Sequence, residues 1–377
     1  MTNVRVLSTG RRRIATWLIL HVAVPGLLMA QSSEGAMFRA DLLRDGNFQS
    51  VGPTRHASSK WKFRTGPVIE AWFSSPTVAN RVVYFGADDG YVYAVDAESG
   101  KEKWRFKTGD VVYSSPAISG HIVYVGSHDG NMYAINADTG QERWRFQTGY
   151  RVYSSPAVAD GVVYFGSSDT NLYAVDVATG MEKWRFKAEG WIVSSPAIYG
   201  GVLYFGSWDH HLYAVDIQSG REKWRFKTGA RILSSPAVAD GRVFFGSMDG
   251  KFYALGAEDG EEVWEFNTGR LIRSSPAVEG TSVYFGSDDG FLHSLDTKTG
   301  RERWRFKTKA EVLSSPAVAS ETVYFSGADG YVYAVAAATG KKRWKYKSPG
   351  VWMRSSPAIA DGAVYFGCDD GYLYALR

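Results

Sequence analysis

The sequence predicts an all-β protein: an eight-bladed β-propeller with four antiparallel strands per blade, its ring closed by an N-terminal strand that joins the last blade. Three observations predict it. The tripeptide Ser-Ser-Pro starts at 74, 114, 154, 194, 234, 274, 314 and 355, a period of 40 residues with a final step of 41. Tryptophan keeps the same period at Trp104, Trp144, Trp184, Trp224, Trp264, Trp304 and Trp344, and Trp61 is one more copy ahead of the first Ser-Ser-Pro. Within one unit, 110–149, four short apolar, β-branched runs are separated by Ser119-Gly120, Asp129-Gly130 and Thr139-Gly140. Short strands joined by glycine turns make a meander, and a meander repeated about every 40 residues makes propeller blades.

Taken in chain order, residues 1–30 read as an export signal, with Arg11, Arg12 and Arg13 ahead of an apolar stretch from Ile14 to Ala30. That stretch falls short of the roughly 20 apolar residues of a membrane span, so cleavage is expected, with a retained anchor as the alternative. Residues 31–59 form a lead-in and 60–377 the propeller. In each unit "VVYSSPAIS" at 111–119 stands for the first strand, "HIVYVGS" for the second, "NMYAIN" for the third and "ERWRFQT" for the fourth. The last unit stops after its third strand at Leu376-Arg377, and "KWKFRTG" at 60–66 supplies the missing fourth. Fourth strands are outer edges. Alternation puts Trp104 and Phe106 on one face and Lys103, Arg105 and Lys107 on the other, and basic side chains guard an exposed edge against pairing with other chains.

Charge excludes a polyanion surface. The chain has 43 bases and 39 acids, and removing Arg5, Arg11, Arg12 and Arg13 with the signal leaves 39 against 39. Nothing global then attracts nucleic acid or anionic membrane. The single cysteine, Cys368, excludes an internal disulfide.

"AVDAESGKEKWRF" at 94–106 and "AVDIQSGREKW" at 214–224 resemble the tryptophan-docking repeat of quinoprotein-type eight-bladed propellers, A-x-D-x-x-x-G-x-x-x-W. "SLDTKTGRERW" at 294–304 matches apart from Ser294, and Gly256 and Ala336 replace the Asp in two other copies. "FRADLLRDGNFQSVGP" at 38–53 is similar to the lead-in of such exported proteins. The resemblance implies that Trp61, Trp104, Trp144, Trp184, Trp224, Trp264, Trp304 and Trp344 dock blade to blade. It also implies two classes: catalysts that carry pyrroloquinoline quinone, and non-catalytic scaffolds. The catalysts are expected to have acidic Ca²⁺ ligands, a catalytic Asp, long insertions around the pocket and, in many cases, a vicinal cysteine pair. One cysteine and a strict 40-residue period fit the scaffold class, of the kind that BamB represents in outer-membrane protein assembly, although no cysteine near the cleavage point suits lipid attachment.

Other chemistry finds no footing. The Ser-Ser-Pro serines recur eight times without a matching histidine, so they read as structural. Asp-Gly pairs such as Asp289-Gly290 are turn residues, and adjacent His210 and His211 point to opposite faces of a strand.

Residues common to all units build the ring, so specificity belongs where the units differ. The third residue before Ser-Ser-Pro varies as Ala71, Val111, Arg151, Trp191, Arg231, Leu271, Glu311 and Trp352, and the residue just before it as Phe73, Tyr113, Tyr153, Val193, Leu233, Arg273, Leu313 and Arg354. The position between them stays apolar, which assigns it to packing and the variable pair to the other face. The turn between strands two and three varies at Asp88, His128, Ser168, Trp208, Met248, Asp288, Ala328 and Asp369, at the same end of the ring. The candidate partner-binding set is Tyr113, Arg151, Tyr153, Trp191, Trp208, Arg231, Arg273, Glu311, Trp352 and Arg354, because arginine with aromatics is the composition of interaction hot spots. The alternative use of these residues is packing between blades, with Arg231 or Arg273 paired to Glu311. The expected protein is periplasmic or secreted, monomeric and without cofactor, catalytic or metal residues. It binds an envelope protein or an anionic or glycan ligand. The alternative function is a quinone-dependent dehydrogenase-like oxidoreductase, which would take pyrroloquinoline quinone and Ca²⁺.

Overall fold

The computed structural model describes residues 35–66, 74–350 and 354–377. The expected export segment lies outside these residues, as does Trp352. Among the described residues every regular element is a strand. Blade one runs Thr77–Ala79, Val82–Gly86, Tyr91–Asp96 and Glu102–Lys107, in that order across its antiparallel sheet. The pattern repeats over 117–147, 157–187, 197–227, 237–267, 277–307 and 317–347. Blade eight takes Ala358–Ala360, Ala363–Cys368 and Tyr372–Leu376 from the end of the chain and Ser59–Arg64 from its beginning. Trp61 stands opposite Ala375 and Phe63 opposite Leu373, so the ring closes as the repeat pattern requires.

Why the same residues recur is visible between the blades. Each described fourth-strand indole donates to a main-chain carbonyl beyond its own sheet: Trp104 to Ala137 at 2.7 Å, Trp264 to Thr297 at 3.0 Å, Trp61 to Ala97 at 3.0 Å. The motif glycine makes room for the ring. A Cβ on Gly140, whose φ is 72°, would sit 2.9 Å from the Trp104 indole. The apolar position between the variable pair is sealed as expected: Val112, Val152, Ile192, Ile232 and Ile272 are wholly buried. Each packs on the glycine that ends the second strand of the preceding blade.

The first strands are shorter than the apolar runs suggest. Only Ala117–Ser119 of 111–119 pairs in the ladder. Pro116 has no N–H to give, and the serine before it is used elsewhere. The second serine of each tripeptide donates its N–H to the Oγ of its counterpart in the next blade, Ser75 to Ser115 at 2.9 Å and so on to Ser315 to Ser356 at 3.0 Å. Ser356 returns the bond to Ser75 at 2.9 Å. Eight serines thus form one closed hydrogen-bonded ring around the axis.

Candidate functional site

The segments that approach the first strands, and the turns between strands two and three, come together at one mouth of the ring, above the serine circle. Main-chain bonds fix this: the amide of Ser168 donates to Arg151, that of Trp208 to Trp191 and that of Ala328 to Glu311, at 2.9 Å each. The variable turn residue is therefore held beside the variable approach residue of its own blade.

Two groups of the candidate residues touch. Tyr113 and Tyr153 flank His128, with ring centroids 4.5 and 4.1 Å from the imidazole. Burial, then Arg151, pulls His128 down to about 4, so the imidazole is neutral at physiological pH. Arg151 itself is raised, first by its hydrogen bond to Tyr153, and lies 5.5 Å over the Tyr150 ring. The second group is a ladder. Tyr150 lies 5.9 Å from Trp191, Trp191 stacks on Trp208 at 4.6 Å, and the Arg231 guanidinium covers Trp208 at 4.5 Å. Together the two groups form an arginine-flanked aromatic shelf across blades two to five.

The other candidates are not part of that shelf. Arg273 pairs with Asp288 of its own blade at 3.1 Å. Burial raises the Asp288 carboxyl, and Arg273 opposes the shift. Arg231 takes an aromatic face, so the contacts of Arg231 and Arg273 are not the pairing with Glu311 that the packing alternative offered. Glu311 is exposed, and Arg354 is half-buried. Several buried polar atoms at the mouth have no partner in the structure: His128 Nε2, Ser168 Oγ and Trp208 Nε1.

Two sets of residues in the ring escaped sequence reasoning. The turn aspartates do more than turn: Asp129 Oδ2 accepts from the Tyr133 hydroxyl and from the Gly109 amide of the preceding blade, both at 2.7 Å. Blade six swaps that tyrosine for His293, whose Nε2 lies 2.9 Å from Asp289 and Nδ1 2.8 Å from Glu302. The Asp-x3-Tyr spacing was the available signal. The second set is the lead-in. Residues 35–50 run along the inner strands on the far side of the serine circle, with Arg44 fully buried and Arg39 5% exposed. The arginines of "FRADLLRDGNF" carried no period from which to read a role.

The sequence from 55 to 377 matches one family model in three overlapping stretches, 55–187, 173–270 and 249–377, described as outer membrane protein assembly factor BamB. The chain belongs to the BamB family. Among solved structures, BamB from Moraxella catarrhalis superposes with a TM-score of 0.73 at 15% identity, covering 85% of this chain and 99% of that one. Quinohemoprotein alcohol dehydrogenase from Comamonas testosteroni gives 0.77 at 16% identity, covering 90% and 80%. At such identities the likeness shows the fold alone. A quinoprotein ethanol dehydrogenase from Pseudomonas aeruginosa is 32% identical over 80 residues, which is 21% of this chain and only 13% of that enzyme.

A quinohemoprotein alcohol dehydrogenase shares this fold, and a quinone would need a seat among the residues present. Cys368 is buried, its Sγ is 2.7 Å from Ser348 Oγ, and burial pushes its thiol up to about 12. As the sole cysteine it cannot form a vicinal disulfide. Among the described residues no group of three or more His, Cys, Asp or Glu side chains is placed to hold a metal ion. The described residues do not make the seat that the quinone enzymes are expected to have.

Proposed function

We propose that this BamB-family propeller is an exported, non-catalytic scaffold that binds a protein partner on its serine-circle mouth, in outer-membrane protein assembly. One observation carries the reading. The departures from an otherwise uniform repeat gather as the shelf Tyr150, Trp191, Trp208 and Arg231 beside Arg151 and Tyr153. Stiff aromatics with arginine bury much surface at small entropic cost, which is how a few residues come to dominate an interface. Arg151 and Arg231, each lying over an aromatic ring, favour an acidic partner surface.

The test is capture from a solubilised cell envelope by the immobilised protein, followed by mass spectrometry. The wild type is expected to retain an outer-membrane assembly component, and Arg151→Ala/Arg231→Ala to lose it at least 10-fold with its unfolding midpoint unchanged. Equal capture by the double variant would remove the shelf from the reading. The dehydrogenase reading is favoured by the short match to the ethanol dehydrogenase. It requires dye reduction with an alcohol once Ca²⁺ and pyrroloquinoline quinone are added; no reduction under those conditions discards it.

A further inference from the structure

We propose that residues 35–53 are a built-in peptide ligand of the ring, a separable plug that fills the channel beneath the serine circle and is held there by Arg39 and Arg44. The inference goes beyond partner binding and does not depend on it.

The plug follows the ring blade by blade. Gly35 and Ala36 pair with Ser119 and Ile118 of blade two. The carbonyls of Leu42, Leu43, Asp45 and Gly46 then accept the amides of Ile198, Val238, Val278 and Val318, one first strand in each of blades four to seven. Ser50 Oγ takes the amide of Asp361 in blade eight at 3.0 Å. First strands pair with second strands on their outer side, so their inner edges carry spare donors. Apart from Gly35 and Ala36, the segment does not add as a strand; its looped backbone gives one carbonyl to the inner edge of each of these blades and so satisfies donors that the ladders leave unpaired.

The arginines answer the opposite group. The Ser-Ser-Pro prolines turn carbonyls into the channel. Arg44 Nε reaches Pro196 O at 2.8 Å, and its Nη2 reaches Pro156 O at 2.8 Å and Ser155 O at 3.0 Å. Nη1 folds back to Phe38 O at 2.8 Å. Arg39 bonds Pro276 O and Arg44 O. One fork thus ties blades three and four, and its neighbour ties blade six. Only a planar guanidinium with five donors spans several carbonyls at once. Arg39, Ala40 and Arg44 all hold left-handed backbone, φ 63°, 76° and 55°, a strained path that persists only where its surroundings dictate it.

A second grip lies at the seam. Blade seven's Trp344 indole and Tyr324 hydroxyl, whose counterparts in other blades bond the carbonyl that follows a third strand, both donate to Pro53 O. Beyond it, Arg55, His56 and Ser58 are exposed and lead to the closing strand at Ser59. Covalent continuity there is not what seats the plug.

A specific protease site placed at 54–57 of the full chain tests this. After cutting, the N-terminal fragment is expected to co-elute with the ring on gel filtration for hours, and from the Arg44→Ala variant to be shed. In the unmodified chain, the amides of Ile198, Val238, Val278 and Val318 are expected to exchange at least 10-fold more slowly than free amides, and all four to speed up together in Arg44→Ala. Immediate loss of the fragment from the otherwise wild-type ring overturns the proposal. So does free-amide exchange at those four positions in the unmodified chain, which needs no altered protein.

Discussion

At the residue scale, departures from the repeat fall into strained turns, buried charge and the shelf. Most blades put glycine at the left-handed position of the turn between strands two and three, as Gly130 does at φ 87°. Thr170 and His210 hold the same conformation at 77° and 73°. Left-handed backbone costs a side-chain-bearing residue ~1–2 kcal/mol, and glycine's extra freedom when unfolded costs ~0.5–1 kcal/mol. The first term wins, so Thr170→Gly is expected to stabilise the protein by about 0.5–1 kcal/mol, measured as a higher urea midpoint. Buried charge sets a pH dependence. Burial, then the neighbouring Asp41, lifts Asp45 to about 7, with the Asn47 amide and Arg39 opposing. Burial pulls Arg39 and Arg44 down to about 9, still charged at neutral pH. The charged groups facing Asp45 are thus Asp41 and Arg39. A carboxyl raised on folding binds its proton more tightly in the folded state, so its contribution is complete only below the ordinary carboxyl value of 3.8 and is lost progressively as pH rises from there through about 7. Asp45→Asn should therefore gain stability relative to wild type between pH 5 and pH 8, read by thermal melts at both. The variable residues were legible as a set. Their pairings were not, because Arg273 finds Asp288 and Arg231 finds Trp208 only once the blades are placed.

At the element scale, the strands were readable because each is short, apolar and fenced by glycine. The first strand was overread because apolarity marks burial rather than pairing. Val111 to Ser115 run unpaired in any ladder, and the chain enters its sheet only after Pro116. The ends of the second strands show how tightly the elements fit. A Cβ on Gly246 would lie 2.2 Å from Ile272 Cγ2 of the next blade. Gly246→Ala is expected to cost roughly 1–3 kcal/mol by overpacking, seen in denaturant unfolding. Trp264→Phe keeps most of the apolar area but leaves the Thr297 carbonyl without its indole donor, for about 1–3 kcal/mol.

At the scale of the whole molecule, the joint the chain does not cross is expected to be the weakest. Blade eight joins Ser59–Arg64 to Tyr372–Leu376, so its closure orders segments more than 300 residues apart. The Trp61 wedge locks that joint against Ala97 of blade one. Trp61→Ala and Trp304→Ala remove comparable contacts. Only the first is expected to speed hydrogen exchange selectively in the amides of 59–64 and 372–376. Equal effects of both variants there would mean the seam is no weaker than any other joint.

The sequence by itself determined the number of blades, the strand order, the closing strand and the end of the ring at which the units differ. Each of these is periodic, and a period can be read without coordinates. Tertiary structure alone decided the serine circle, the coupling of Arg151 with Tyr153 and Arg231 with Trp208, and the seating of the lead-in. The serine bonds form between identical-looking residues of neighbouring blades, so no single unit reveals them. The lead-in occurs once, and its buried arginines answer carbonyls that converge only when eight first strands face a common axis.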